Sequence, residues 1–230
     1  MKLKTRLTWP DLRNHLQYQG WLYLLLIGLS FALVNLVYAQ TAYRPPQDAR
    51  IDIYIQGSGA NTDTVNEFLK PIWDEAVPQT ELVNAVLLLS GGGESDYYAN
   101  MQLVTYMAAA EGDIYMLSTA DFKRFASQGS FVPLDKQIAE GVINAEGLDL
   151  AAGRVTPVDI NEKGEVVSLG ESRQYGIPAG TLYKFASDLM IDNRDMVLAV
   201  AVNSGNEEDS ITFLDALIQA TRGDIPDFFK

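Results

Sequence analysis

The chain has 230 residues, no cysteine, one histidine and a net charge of −13. Without cysteine there is neither a disulfide framework nor a lipid-modified thiol. With His15 as the sole imidazole, beyond residue 15 the usual base for a Ser or Cys nucleophile is missing, as is a His-based zinc site.

Trp21 to Ala39 runs nineteen residues without a charge. As a helix it spans roughly 28 Å, close to a bilayer's hydrocarbon thickness. Trp21 and Tyr23 stand at one end and Tyr38 and Tyr43 at the other, where amphipathic rings favour headgroup depth. Lys2, Lys4, Arg6 and Arg13 precede the run against Asp11, which predicts an inside N-terminus and an extracytoplasmic remainder. A secretory signal cleaved after Ala39 is the alternative; the long leading tail and long apolar run favour an uncleaved anchor. The expected organisation is a cytoplasmic tail 1–20, a single membrane-spanning helix 21–39, a linker 40–49 and an extracytoplasmic domain 50–230.

Of the 17 Lys and Arg and 30 Asp and Glu, four and one respectively precede Trp21, leaving −16 beyond it. Such a domain repels nucleic acid and anionic surfaces, and favours neutral or cationic ligands or mere solubility.

Pro45 and Pro46 predict a short stiff spacer. Ile51, Ile53 and Ile55 alternate with Asp52, Tyr54 and Gln56 as in a strand that ends at Gly57-Ser58-Gly59. A helix is expected from Thr62, capped by Asn61 or Thr62, with Val65, Phe68, Leu69, Ile72 and Ala76 on one face. Pro71 should kink or divide it.

Val83 to Leu89 is a near-continuous apolar run, as in a strand covered on both faces, and Ser90-Gly91-Gly92-Gly93 ends it. Glu94 to Ala110 reads as a helix with Tyr97, Met101, Val104 and Ala108 at helical spacing. Gly112-Asp113 turns into a strand, Ile114 to Leu117. Ser118 suits the cap of a helix that turns Phe122, Phe125 and Ala126 inward and stops at Gly129. Three strand–helix alternations predict a parallel α/β sheet with right-handed connections.

From Gly141 to Gly180 the pattern loosens. Val155 to Val158 and Val166 to Leu169 flank Asn161 to Gly164 as in a hairpin. Met196 to Val202 is again strand-like. Glu207, Glu208 and Asp209 suit the first turn of a helix with Ile211, Leu214 and Ile218 inside.

The segments Gly112 to Asp135, Gln174-Tyr175-Gly176-Ile177-Pro178 and Leu198 to Leu217 resemble the extracellular solute-binding proteins of ABC importers. The first is similar to that family's strand, helix and G-x-hydrophobic-x-P-L-D turn, here ending Pro133-Leu134-Asp135. The second is similar to its YGIP turn, and the third to the strand and helix that return to its first lobe. The resemblance covers about half of the exported part. It implies an α/β fold like a single lobe of the periplasmic binding proteins, a mostly parallel sheet with helices on both faces. About sixty residues separate Asp135 from the return strand, so the second lobe reads as deleted or reduced to a hairpin. The apolar helix replaces the family's lipid-carrying cysteine. The implied role is an accessory, partner-binding component of an ABC-type transport or envelope system. The alternative is a substrate receptor for a neutral solute such as a sugar. Expected partners are the membrane, ABC permease subunits or another envelope protein, and a small neutral solute, with no nucleic acid.

Chemistry-bearing motifs are weak. Gly57-x-Gly59 lacks the third glycine of a dinucleotide loop, and Gly91-Gly92-Gly93 lacks the Lys of a P-loop. Asp159-x-Asn161-x-Lys163 opens like a calcium loop but meets Gly170 where a bidentate Glu is needed. No spacing singles out a glycosidase-type carboxylate pair. The chain reads as a non-enzyme without cofactor or metal. Ligands of open parallel sheets sit at the strands' carboxyl ends. The candidate binding residues are therefore Gly57, Ser58, Gly59, Ser90, Gly91, Gly92, Ser118, Thr119 and Asp121, with Tyr175 and Tyr183 as stacking surfaces.

Overall fold

The computed structural model describes residues 9–41, 43, 45–57, 59–90, 94–160 and 166–223. Met1–Arg44 and Pro45–Lys230 form separate units. The first contains helix α1, Trp9–Thr41, which starts well before the apolar run, so part of the expected tail is helical. Its stretch Gly20–Tyr38, with mean hydropathy 2.0, is long and apolar enough to cross a membrane by length and composition. Its apolar side chains from Trp21 to Tyr38 are exposed.

The second unit is a three-layer α/β fold. Its strands and helices in order are β1 (Arg50–Gly57), α2 (Thr62–Ala76), β2 (Leu82–Leu89), α3 (Glu94–Ala108), β3 (Ile114–Ser118), α4 (Thr119–Ser127) and α5 (Asp135–Ala139). They continue as β4 (Arg154–Val155), β5 (Val158–Ile160), β6 (Val166–Leu169), β7 (Arg173–Gln174), β8 (Ile177–Pro178), α6 (Lys184–Ser187), β9 (Met196–Val200) and α7 (Glu207–Thr221). The central sheet has the order β2-β1-β3-β9-β8. β1 pairs in parallel with β2 and β3, and β9 runs antiparallel between β3 and β8. β8 therefore points the same way as β1, β2 and β3, and only β9 is reversed.

The strands' period of two sorts their side chains into two cores. Ile51, Ile53, Ile55, Ile114, Met116, Leu198 and Val200 meet Val65 and Leu69 of α2 and Ile211, Leu214 and Ile218 of α7. Tyr54, Tyr115, Leu117, Val197 and Ala199 meet Leu103 of α3 and Phe122, Phe125 and Ala126 of α4 on the other face. The Ile51–Gln56 alternation thus marks two covered faces rather than a wet one; even Asp52 is 9 % exposed.

Several expectations change. The apolar run Val83–Leu89 is covered on both faces, by α2 and by α3, but it is the edge strand β2, and its last residue Leu89 is 61 % exposed. Pro71 lies inside α2 without dividing it. The Asn61 side chain, rather than Thr62, caps that helix by accepting the Asp63 N–H at 2.8 Å. Helix α3 packs by a face other than the one its Tyr97, Met101 and Val104 spacing marks. Ala99 and Leu103 face the core, while Tyr97, Met101 and Val104 are exposed.

The segment between α5 and β8 carries two small ladders, β4–β7 and β5–β6, so Val155 and Val158 pair with different strands. The hairpin's turn, 161–165, lies outside the described residues. Gln174, 1 % exposed, holds the segment together. Its amide donates to the Leu150 carbonyl at 3.0 Å and the Gly176 carbonyl at 2.5 Å, and its N–H donates to Asp135 Oδ2 at 3.0 Å. Gly176 admits β8 beside its neighbours: a Cβ there would stand 2.5 Å from Val197 Cγ1 and 2.8 Å from the Leu198 carbonyl oxygen.

Candidate functional site

Parallel pairing aligns the carboxyl ends of β1, β2 and β3, with Gly57 opposite Leu89. Ser118 joins them through its N–H, which donates to Gln56 Oε1 at 2.9 Å. The reversed strand β9 starts at the same rim, Met196 lying opposite Ser118. Gly57, Gly59, Ser90, Ser118, Thr119 and Asp121 are thus gathered at one end of the sheet, as the strand-end rule requires. Ser58, Gly91 and Gly92 lie outside the described residues.

Among the described residues, most of the rim's polar groups are engaged with each other. Gln56 donates through Nε2 to Asp121 Oδ2 at 2.9 Å. Ser118 Oγ donates to the same oxygen at 3.1 Å and accepts the Asp121 N–H at 3.2 Å, which makes it the N-cap of α4. Arg124 pairs with Asp121 Oδ1 at 3.0 Å and donates to Asn100 Oδ1 at 2.8 Å. Thr119 donates its N–H to the Asp195 carbonyl at 2.8 Å. Ser90 donates its N–H to the Gly57 carbonyl at 3.0 Å and its hydroxyl to Asp96 Oδ1 at 2.7 Å.

The two tyrosines separate. Tyr175 is 8 % exposed and sits in the core with Phe122 and Val155. It precedes β8, which points toward the rim, so it belongs to the opposite end of the sheet. Tyr183 follows β8 at the N-cap of α6 and is half-buried.

Gln56, Arg124, Asp195 and Met190 are rim residues that the sequence reading left out. Gln56 was within reach, because it is the last side chain of β1 in phase with Tyr54 and faces α4. Asp195 and Met190 are brought to the rim by the return of the chain into β9. Met190 is 73 % exposed with a φ of 58°, and its carbonyl would lie 3.4 Å from a Cβ on Gly59.

Concavities lie both beside this rim, where Arg124 borders one of them, and away from it. One of 540 Å³ lies between α2 and α7, bounded by Ile72 and Ala216. One of 430 Å³ runs along α3 beside Tyr97, Met101, Val104 and Arg124. One of 130 Å³, at the opposite end of the sheet from the rim, is lined by Glu111, Tyr115 and Asn203. Among the described residues no group of three or more acidic or His side chains is placed to hold a metal.

No protein-family model matches the chain, and no curated protein does. Partial similarity is found among solved structures. A family 1 extracellular solute-binding protein from Alicyclobacillus acidocaldarius is 17 % identical, overlapping 59 % of this chain and 28 % of its own, with a TM-score of 0.38. The GacH receptor of Streptomyces glaucescens, solved unliganded and with acarbose, is 19 % identical over 56 % of this chain and 28 % of its own, with a TM-score of 0.37. An N-glycan transport solute-binding protein from Streptococcus pneumoniae, solved with Man5GlcNAc, is 18 % identical over 56 % of this chain and 24 % of its own, with a TM-score of 0.36. The chain spans less than a third of the length of each.

Proposed function

We propose that this chain is a membrane-anchored, extracytoplasmic domain of the solute-binding type that works as a partner-binding accessory to an ABC-type transport or envelope system. In this reading 1–20 lie in the cytoplasm, 21–39 cross the bilayer, 40–49 link, and 50–230 stand outside. The role is binding, not catalysis.

The observation that carries it is the closed rim. The carboxyl ends of β1 and β3 meet in the Gln56–Ser118–Asp121–Arg124 network, whose bonds run from 2.8 to 3.2 Å. A receptor for a neutral solute needs donors and acceptors left open to the ligand, because each buried polar group of the guest must find a partner. A rim whose groups already satisfy one another offers a finished surface, which suits a protein partner. The return of β9 into the first sheet also makes Pro45–Lys230 one compact unit.

The test has two arms, both on the full chain in detergent. Calorimetry against oligosaccharides, peptides and polyamines should give no heat. Photocrosslinking from Thr181, exposed between β8 and α6 just past the end of β8 that points toward the rim, should capture a permease subunit or another envelope protein in the native membrane. Sub-millimolar binding of one solute class, with no crosslink, would replace the accessory reading with that of a sugar-type receptor.

A further inference from the structure

The outer edge of the central sheet is only half guarded. β2 stands at one end of the order β2-β1-β3-β9-β8, so one row of its backbone groups has no neighbouring strand. The Ser90 N–H donates to the Gly57 carbonyl of β1, which turns the backbone of the even-numbered residues toward β1 and that of the odd-numbered ones outward. The outward Ala85 N–H is taken by Asn66 Oδ1 of α2 at 2.8 Å. Leu87 and Leu89, farther along the same row, have no such partner among the described residues. Open edges are ordinarily blunted by charge, proline or a bulge. Leu82–Leu89 holds no charged residue and no proline, and it pairs with β1 residue for residue from Arg50↔Leu82 to Gly57↔Leu89.

We propose that the edge from Leu87 to Leu89 takes an extended, basic segment of a partner protein as an added strand; the inference rests on the partner-binding role proposed above. Two observations select that occupant. The first is the backbone. Outward N–H and C=O groups recur at every second residue, and an extended chain supplies matching groups at the same repeat, which a small solute or a lipid does not. Leu89, 61 % exposed, gives the added strand an apolar side chain to pack against.

The second observation is charge. Asp63 lies one turn before Asn66 on the same side of α2 and nearer the rim, and Glu67 follows four residues on. Both are exposed, and neither belongs to an ion pair among the described residues. The chain beyond Trp21 carries −16. A second copy would bring the same charges and be repelled, whereas a strand bearing Lys or Arg is drawn to this edge.

The test uses the full chain in a non-ionic detergent and two synthetic extended peptides, one alternating Lys with Thr and one alternating Glu with Thr. Amide exchange is read at Ala85, Leu87 and Leu89. The Lys peptide should slow exchange at Leu87 and Leu89 several-fold and leave Ala85, already held by Asn66, unchanged. The Glu peptide should slow none of them. Leu89→Lys, at an exposed position, should abolish the effect with the fold intact, and Leu87→Pro, which removes one outward N–H from an edge strand, should weaken it. No slowing at Leu87 and Leu89, or equal slowing by both peptides, would overturn the inference. Slowing that rises with protein concentration alone would replace the added strand with a second copy. A Thr181 crosslink that survives in Leu89→Lys, with no slowing at the edge, would strike the edge and leave the accessory role standing. Slowing at the edge with no Thr181 crosslink would keep the edge and remove the envelope partner.

Discussion

The carboxylate of Asp113 accepts the Ser204 hydroxyl at 2.7 Å, which joins the start of β3 to the turn ahead of α7. Its other oxygen accepts the Asp52 N–H of β1 at 2.8 Å. The residue is 1 % exposed, so one acidic group ties three separate parts of the sheet's amino end.

Burial pushes the Asp113 carboxyl above its usual value, and the two hydrogen bonds pull back only part of that rise. A carboxyl whose folded pKa exceeds its unfolded value of 3.8 binds more protons when folded between those two values. Its contribution to stability is therefore greatest below the ordinary carboxylate range and declines as pH rises through the folded value. Asp113→Asn should remove this part of the pH slope. It should also cost about 1–3 kcal/mol, because an amide NH₂ faces a donor where an oxygen accepted one. Denaturant titrations of both chains across the acidic range would show it, and parallel slopes would contradict it.

The phase of α3 is open to direct test. Leu103 is fully buried and Met101 is 52 % exposed. Leu103→Ala should cost about 2–5 kcal/mol through the lost transfer energy and the cavity left behind. Met101→Ala should stay within about 0.5 kcal/mol of the parent in detergent, as exposed substitutions do. Melting curves in which Met101→Ala is the more damaging change would mean that the Tyr97–Met101–Val104 face, not Leu103, packs on the sheet.

Gly176 and Gly129 separate two reasons for glycine. At Gly176 a methyl meets Val197 Cγ1 at 2.5 Å, so Gly176→Ala forces β8 and β9 apart and should cost about 1–3 kcal/mol. At Gly129 the space is open, but φ is +78°, so Gly129→Ala bears only the smaller penalty of a left-handed backbone, about 1 kcal/mol. Denaturation midpoints should fall in that order. Equal loss at both would mean that β8 is not held close to β9.

The helix cap at Asn61 gives a fourth expectation. Asn61→Ala should lower stability by about 0.5–2 kcal/mol, and Asn61→Asp should retain the bond to the Asp63 N–H. Amide exchange in the first turn of α2 would report it, and unchanged protection in the alanine variant would argue against the cap.

Local pattern was enough for a good part of this molecule. Ile51, Ile53 and Ile55 define a strand, Phe122, Phe125 and Ala126 a buried helix face, and Trp21 to Ala39 an apolar helix, because spacing along a few residues sets which side chains can share a face. The rim was also foreseeable in outline, since strand ends in a parallel sheet must converge. What local pattern could not supply was the partner of each face. Val83 to Leu89 is equally apolar in the middle of a sheet or at its edge, and only the order β2-β1-β3-β9-β8 puts it at the edge. Tyr97 and Leu103 offer α3 two apolar sides, and packing against the sheet chose Leu103. Tyr175 entered the core because β8 docks beside the return strand β9, which comes from far along the chain. Burial is a property of what lies opposite, and what lies opposite is decided by contacts distant in sequence.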